Sequence, residues 1–189
     1  MSAEIEFKDF GKIARFRTIQ AIVTEKIDGT NAQIYIPEDP EAPILAGSRN
    51  RWVTPGKNTD NFGFAAWVSE HAAALRRLGY GRHYGEWYGA GVGRRYGLDH
   101  KRFALFDVQR FAGGLPEGLP SNVEIVPVLY RGAVDTAAIQ SAIDRLYAEG
   151  SVAVPGWPKP EGVIVSVAGM RWKVTDNGDA HKGTHAEAH

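Results

Sequence analysis

The sequence predicts an α+β fold built on antiparallel sheets. Short apolar, β-branched runs outnumber helical ones, tight turns rather than long crossovers join most of them, and no segment repeats. The strand-like runs, in order, are Ile19–Thr24, Gln33–Ile36, Ile44–Ser48, His83–Trp87, Phe103–Val108, Val123–Leu129, Gly162–Val167 and Met170–Val174. The first two flank Asp28-Gly29, a dipeptide suited to a tight hairpin turn. A first helix is expected to follow Asp60, whose carboxylate can cap free amides, and to run through Ala66, Trp67, Glu70, Ala74 and Leu75 to Gly79. A second starts at Asp135, carries Ile139, Ile143, Leu146 and Tyr147 at helical spacing, and stops at Gly150. Pro37–Pro43, Gly113–Pro120 and Pro155–Pro160 mark loops.

A chain of 189 residues, 43% hydrophobic and 23% charged, is long enough for one core and reads as one globular domain over residues 1–176. Residues 177–189 form a polar tail, expected to be disordered. In it His181, His185 and His189 recur every fourth residue, but glycine and threonine interrupt the pattern that a helical metal face would need. No run approaches the ~18 apolar residues that span a bilayer. The first residues are neither basic nor apolar, so no secretory signal is expected. The chain has no cysteine, which excludes disulfides, thiolate metal sites and cysteine nucleophiles. A cytoplasmic location, in phage-infected or bacterial host cytosol, is the expectation.

Net charge is zero, with 22 basic and 22 acidic residues, which argues against a protein coated with nucleic acid. The distribution is uneven, however. Arg76, Arg77, Arg82, Arg94, Arg95, Lys101 and Arg102 crowd one stretch that holds only Glu86 and Asp99 as acids, and Arg49, Arg51 and Lys57 gather near Trp52. Such groups can neutralise a phosphate backbone while acids elsewhere balance the total, and they can equally be solvated faces. Neither a Gly-x4-Gly-Lys-Ser/Thr loop nor a complete dinucleotide fingerprint is present, so a bound nucleotide would need another device.

Thr24-Glu25-Lys26-Ile27-Asp28-Gly29-Thr30-Asn31 offers one, because it places a lysine at a strand end beside a glycine. A lysine whose stem is clamped and whose amine faces a pocket can attack phosphorus or carbon. Further segments accompany it. Gly47-Ser48-Arg49-Asn50-Arg51 puts two guanidiniums on one side of an extended strand. Tyr84-Gly85-Glu86-Trp87 sets an acid in an aromatic strand, and Phe106-Asp107 ends an apolar one. Glu161 immediately precedes a buried-looking strand, and Arg171 and Lys173 share a face of the last one.

In this order the segments resemble the covalent nucleotidyltransferases, a superfamily of ATP-dependent RNA ligases, DNA ligases and mRNA capping enzymes. Lys26-Ile27-Asp28-Gly29 looks like the nucleophile motif. Tyr84-Gly85-Glu86, Phe106-Asp107, Glu161-Gly162-Val163-Ile164 and Arg171-Trp172-Lys173 look like the four later motifs. Glu25-Lys26, Gly47-Ser48-Arg49 and Val126-Pro127-Val128-Leu129-Tyr130 resemble the RNA-ligase branch of phage and RNA-editing systems. The resemblance spans about Thr24 to Asp176 and implies a single adenylyltransferase domain, with antiparallel sheets flanked by helices.

It also implies chemistry. Lys26 would attack the α-phosphate of ATP and carry AMP, which then passes to a 5′-phosphate end and is released when a 3′-hydroxyl seals it. A free lysine titrates near ~10.4, so the neutral amine must be favoured by neighbouring cations or by desolvation; Lys173 and Arg171 are the candidate cations. Glu161 would bind Mg²⁺ or Mn²⁺ or orient the lysine, Glu86 would accept from the ribose, Phe106 would stack on adenine, and Asp107 would brace the pocket. Glu25, Ile27, Asp28, Arg49 and Arg171 join the nucleotide-binding set, while Arg51, Arg94 and Arg95 are assigned to RNA. RNA ends, including a nick in a duplex, are the expected partners, with no membrane; a protein that delivers the ends is a further partner under this reading.

Two departures qualify the resemblance. Arg171 stands where the superfamily usually has a lysine, and a guanidinium cannot mimic a compact ammonium. Soon after Lys173 the chain ends, whereas larger relatives continue into an oligonucleotide-binding or helical domain, so a bare catalytic domain with no such C-terminal domain is expected. DNA nick sealing, guanylyl transfer and a non-catalytic nucleotide or nucleic-acid binder remain the alternatives.

Overall fold

The computed structural model describes residues 9, 11–12 and 18–175; the polar tail with its three histidines, and Asp176, lie outside them. Two sheets face each other. The first has the order β10-β9-β1-β8 and is antiparallel throughout, comprising β1 (Gln20–Lys26), β8 (Val128–Ala133), β9 (Gly162–Val167) and β10 (Met170–Thr175). The second has the order β4-β3-β2-β5-β6-β7, from β2 (Thr30–Ile36), β3 (Leu45–Gly47), β4 (Trp52–Val53), β5 (Gly81–Gly89), β6 (Lys101–Leu105) and β7 (Val123–Ile125). It departs from the expected antiparallel pattern at one pair, β6 and β7, which run parallel.

The expected hairpin at Asp28-Gly29 is not formed. β1 pairs with β8 and β9, while β2 pairs with β3 and β5, so Ile27–Gly29 carries the chain from one sheet to the other. Glycine is required there by proximity rather than by turn geometry. A Cβ on Gly29 would collide with the Trp87 carbonyl oxygen and the Tyr88 Cβ, and the Gly29 N–H donates to Glu86 Oε1 at 3.1 Å. The expected strand Val123–Leu129 divides in the same manner. Val126-Pro127 leaves β7 of one sheet to enter β8 of the other, since proline has no N–H for a ladder and its carbonyl instead accepts from the Glu25 amide at 2.9 Å.

Helices close the outer faces. α1 (Phe64–Glu70) and the short α2 (Ala72–Leu75) with a 3₁₀ turn at Arg76–Leu78 replace the single helix expected from Asp60 to Gly79. The break falls at His71, whose ring nitrogen sits 3.0 Å from the Trp67 carbonyl, the oxygen its own amide already uses. Asp60 does serve the helix start. Its oxygens accept from the Ala65 and Ala66 amides at 2.7 and 3.0 Å, although the first helical residue comes four positions later. α3 (Thr136–Glu149) begins at Asp135, whose side chain caps Ala137 and Ala138, and ends at Gly150 with φ of 91°, as expected.

Three apolar clusters hold these layers together. Phe64, Trp67 and Leu75 pack on Ile34, Trp87 and Phe103 behind the second sheet. Ile143 and Leu146 of α3 pack on Val23 and Val163 behind the first. Between the sheets lie Ile22, Ile27, Tyr88, Tyr96, Ala104, Val126 and Val154. Alternation along β1 therefore sends Ile22, Thr24 and Lys26 toward the inter-sheet cleft and Val23 and Glu25 away from it. Among the described residues no helix is long and apolar enough to cross a membrane.

Candidate active site

Lys26 ends β1 at the mouth of the inter-sheet cleft, opposite Gly162 of β9. Its Nζ meets Glu161 Oε1 at 2.5 Å, the two side chains being 26% and 18% exposed. The other Glu161 oxygen is buried, with no hydrogen-bond partner among the described residues. Lys26, Asp28, Gly29, Thr30, Asn31, Arg49 and Glu86 line a polar cleft of about 260 Å³. A larger groove of about 490 Å³ among Val108, Phe111, Val126, Val128 and Arg131 is mostly apolar and is lined by no carboxylate and no lysine.

Glu86 comes from the middle of β5, directly opposite Asn31 of β2. One oxygen accepts from the Gly29 amide and the other from Asn31 Nδ2, both at 3.1 Å. Burial pushes its carboxyl up to about 7, against the opposing pull of Asn31, Lys26 and Gly29. Asn31 Oδ1 in turn accepts from Arg49 Nε at 3.1 Å, so one amide joins the acid to the guanidinium across the cleft. Asn31 lies in the same stretch as the lysine, yet no role for it follows from the motifs. Its signal was alternation: Asn31 is the polar residue of β2 that register brings face to face with the motif acid.

Asp28 is positioned from below. Its amide donates to the Tyr96 hydroxyl at 2.7 Å and its carboxylate pairs with Arg94 Nε at 3.2 Å. Arg94 also donates to the Lys159 carbonyl at 3.2 Å, tying the loop after Lys26 to the segment that delivers Glu161. Arg94, expected on RNA, is thus engaged inside the protein, because the glycine-rich loop folds back onto Asp28. Arg95 beside it has φ of 62° and is exposed, as is Arg51. Tyr96 had no recognisable signal in the sequence, since it lies in a glycine-rich loop far from every motif.

Other expected residues fall at different distances from the cleft. Glu25 is a correction: it is 1% exposed and faces away from Lys26. Its oxygens accept from Ser151 Oγ at 2.5 Å and from the Val152 and Ala153 amides at 2.9 and 2.8 Å, so the side chain anchors the loop after α3 rather than a nucleotide. Ile27 is likewise a core side chain, 3% exposed between the sheets. Phe106 follows β6, its amide still bonded to the Tyr84 carbonyl, and is 37% exposed beside the cleft without lining it. Asp107 accepts from the Arg110 amide at 2.9 Å and so braces its own turn.

Register places Arg171, Lys173 and Lys26 on the same face of the first sheet. Lys173 lies two strands and two residues from Lys26, about 12 Å between Cα atoms. Both β10 cations are exposed, and neither has an ion-pair partner among the described residues. The group against the amine is therefore the Glu161 carboxylate, not the expected cations.

A divalent ion can be tested against these residues. Among the described residues no cluster of three His, Cys, Asp or Glu is placed to hold one. A single partnerless carboxylate oxygen on Glu161, beside a polar cleft, nevertheless fits an ion whose remaining ligands are phosphate oxygens and water, the usual manner of Mg²⁺.

The sequence profile of the RNA ligase family matches residues 19–182. The fold matches Naegleria gruberi RNA ligase with pyrophosphate (TM-score 0.58, 21% identity) and two lysine mutants of that ligase. One mutant holds ATP and Mn (TM-score 0.59, 20% identity) and the other AMP and Mn (0.57, 20%). Each match covers 85% of this chain and 50% of the ligase chain, so the protein spans about half the length of those structures. A search of curated protein sequences finds no match. With the profile covering most of its length, and with Lys26 set between Glu161 and the cleft that Glu86 lines, the chain belongs to the RNA ligase family.

Proposed function

We propose that the protein is an ATP-dependent RNA ligase that acts through a lysyl-AMP intermediate on Lys26. The observation that carries this reading is the Lys26–Glu161 contact at the edge of a cleft also lined by Glu86 and Arg49. Lys26 Nζ attacks the α-phosphorus of ATP, forming a P–N bond as the α–β bridging P–O bond breaks and pyrophosphate leaves with its electron pair. The attacking amine must be neutral, so its proton passes to Glu161 or to solvent. Arg49, Lys173 and Arg171 neutralise phosphate charge as it moves, Glu86 accepts from the ribose hydroxyls, and Phe106 covers the adenine. A divalent ion, Mg²⁺ or Mn²⁺, would be held by Glu161 and would supply charge neutralisation at the phosphates. The AMP then passes to an RNA 5′-phosphate, and attack by a 3′-hydroxyl joins the ends and releases AMP.

Incubating the protein with α-labelled ATP and Mg²⁺ should yield an acid-stable label on the chain, absent from Lys26→Ala. Label that persists on this variant refutes the nucleophile, and label from GTP but not ATP points to guanylyl transfer. Sealing of matched RNA and DNA nicks then assigns the substrate, and sealing that needs added cellular extract identifies an end-delivering partner.

A further inference from the structure

The cleft-facing side of the second sheet does not end at the pocket. Register continues it from Asn31 and Glu86 to Gln33 and Tyr84, then to Tyr35 and Arg82, with Trp52 alongside across Gly47. The Arg82 guanidinium lies 5.2 Å from the ring centroids of both Tyr35 and Trp52, and donates to Gln33 Oε1 at 2.9 Å. Gln33 is itself fixed, lying over Gly47 and donating to the Ser48 carbonyl at 3.2 Å. Trp52 is 45% exposed and Tyr84 52%, and the Tyr84 side chain has no partner among the described residues. A tryptophan left half in water and pre-set against a clamped arginine is of no use to the core, which lies on the opposite face of this sheet.

We infer that Trp52, Arg82 and Tyr35 form a stacking platform for single-stranded RNA adjoining the end held at Lys26. Three features favour RNA over a protein partner. The platform is continuous with the pocket through Gln33 and Asn31. Arg49, Arg51 and Arg82 have no carboxylate within ion-pair distance among the described residues, leaving their charge for phosphate. Flat rings beside a guanidinium also suit bases of any sequence, since every base has a π-face. From Asn31 to Tyr35 the strand rises about 13 Å, so the platform spans a few nucleotides rather than a long strand. Beyond Tyr35 the loop carries Glu38, Asp39 and Glu41, which repel further phosphates and set the far limit.

The inference rests on the ligase reading, and its test separates the two. The probe is a fluorescein-tagged, 5′-phosphorylated oligouridylate, followed by anisotropy over a salt series with the 189-residue chain. Trp52→Ala should weaken binding about tenfold, with Trp52→Phe restoring most of it. Arg82→Ala should weaken binding and make the log–log salt slope shallower by about 0.7. Both variants should keep the wild-type melting transition and take AMP label as the wild type does. RNA affinity unchanged in Trp52→Ala and Arg82→Ala overturns the platform and leaves this surface to a protein partner; failure of the wild type to bind the probe overturns it as well. No label on the wild type, with RNA binding still lost in Trp52→Ala, keeps the platform and defeats the ligase reading instead.

Discussion

The two sides of β1 treat buried carboxylates differently. Behind the strand, Glu25 is held by three donors from Ser151, Val152 and Ala153, all within 2.9 Å. In front of it, Glu86 takes two donors at 3.1 Å, and Glu161 keeps one buried oxygen with none among the described residues. A saturated acid fixes a loop and can do nothing more. An under-satisfied one costs stability until a ligand supplies the missing donor or cation, which is the pattern expected where binding is to occur.

The largest effect should come from breaking the saturated side. Glu25→Ala leaves a buried hydroxyl and two amides without an acceptor, a loss of about 3 kcal/mol read by urea unfolding. Molecules that remain folded should still take AMP label. Lys26→Ala should give the reverse: all label lost, with stability changed by about 1 kcal/mol or less, since the Lys26–Glu161 pair is partly exposed. If both variants lose label and stability together, the two faces of β1 do not divide the work as argued.

The Glu86 side sharpens the comparison through pH. Its carboxyl titrates near 7 in the folded protein, above the ordinary 4.5, so between these values the folded state binds a proton that the unfolded state has released. Stability from this group is therefore fully present below about 4.5 and is lost as pH rises through 7, an effect of order 2–3 kcal/mol. Denaturant midpoints measured from pH 5 to 8.5 should fall, and Glu86→Gln should flatten the decline, because an amide has no proton to lose. Bound nucleotide should flatten it too if ribose hydroxyls donate to the ionised acid.

Much of this division was legible in the sequence, for reasons that differ by residue. Lys26, Glu86 and Glu161 stood out by their motifs, and the structure sets Lys26 against Glu161 and beside Glu86; α3 was visible because its cap, period and stop are all local. Glu25 misled because adjacency to a motif lysine says nothing of direction: along a strand, neighbours point to opposite faces. Asp28-Gly29 misled because its composition is that of a hairpin turn, whereas the glycine answers to a close approach of β5, remote in sequence. Val126-Pro127 carried its own clue, a proline in an otherwise continuous strand, and marked the second passage between sheets. Tyr96 and the Arg94–Lys159 tie exist only in three dimensions.

The smallest effects should separate two adjacent arginines that the sequence treated alike. Arg94 spans Asp28 and the Lys159 carbonyl, coupling the lysine loop to the strand entrance at Glu161, but its contacts are 3.2 Å long and partly exposed. Arg94→Ala should therefore cost under about 1 kcal/mol of stability and slow AMP labelling about two- to fivefold, because Lys26 and Glu161 lose one of the links that hold them in register. Arg95 points into solvent from the same loop and touches neither. Arg95→Ala should leave the labelling rate alone, and any effect should appear only as a shallower salt dependence of RNA binding. A ligation-rate assay with pre-formed lysyl-AMP isolates that second effect. If Arg94→Ala changes RNA affinity but not labelling, the glycine-rich loop is an RNA contact after all and Asp28 needs no brace.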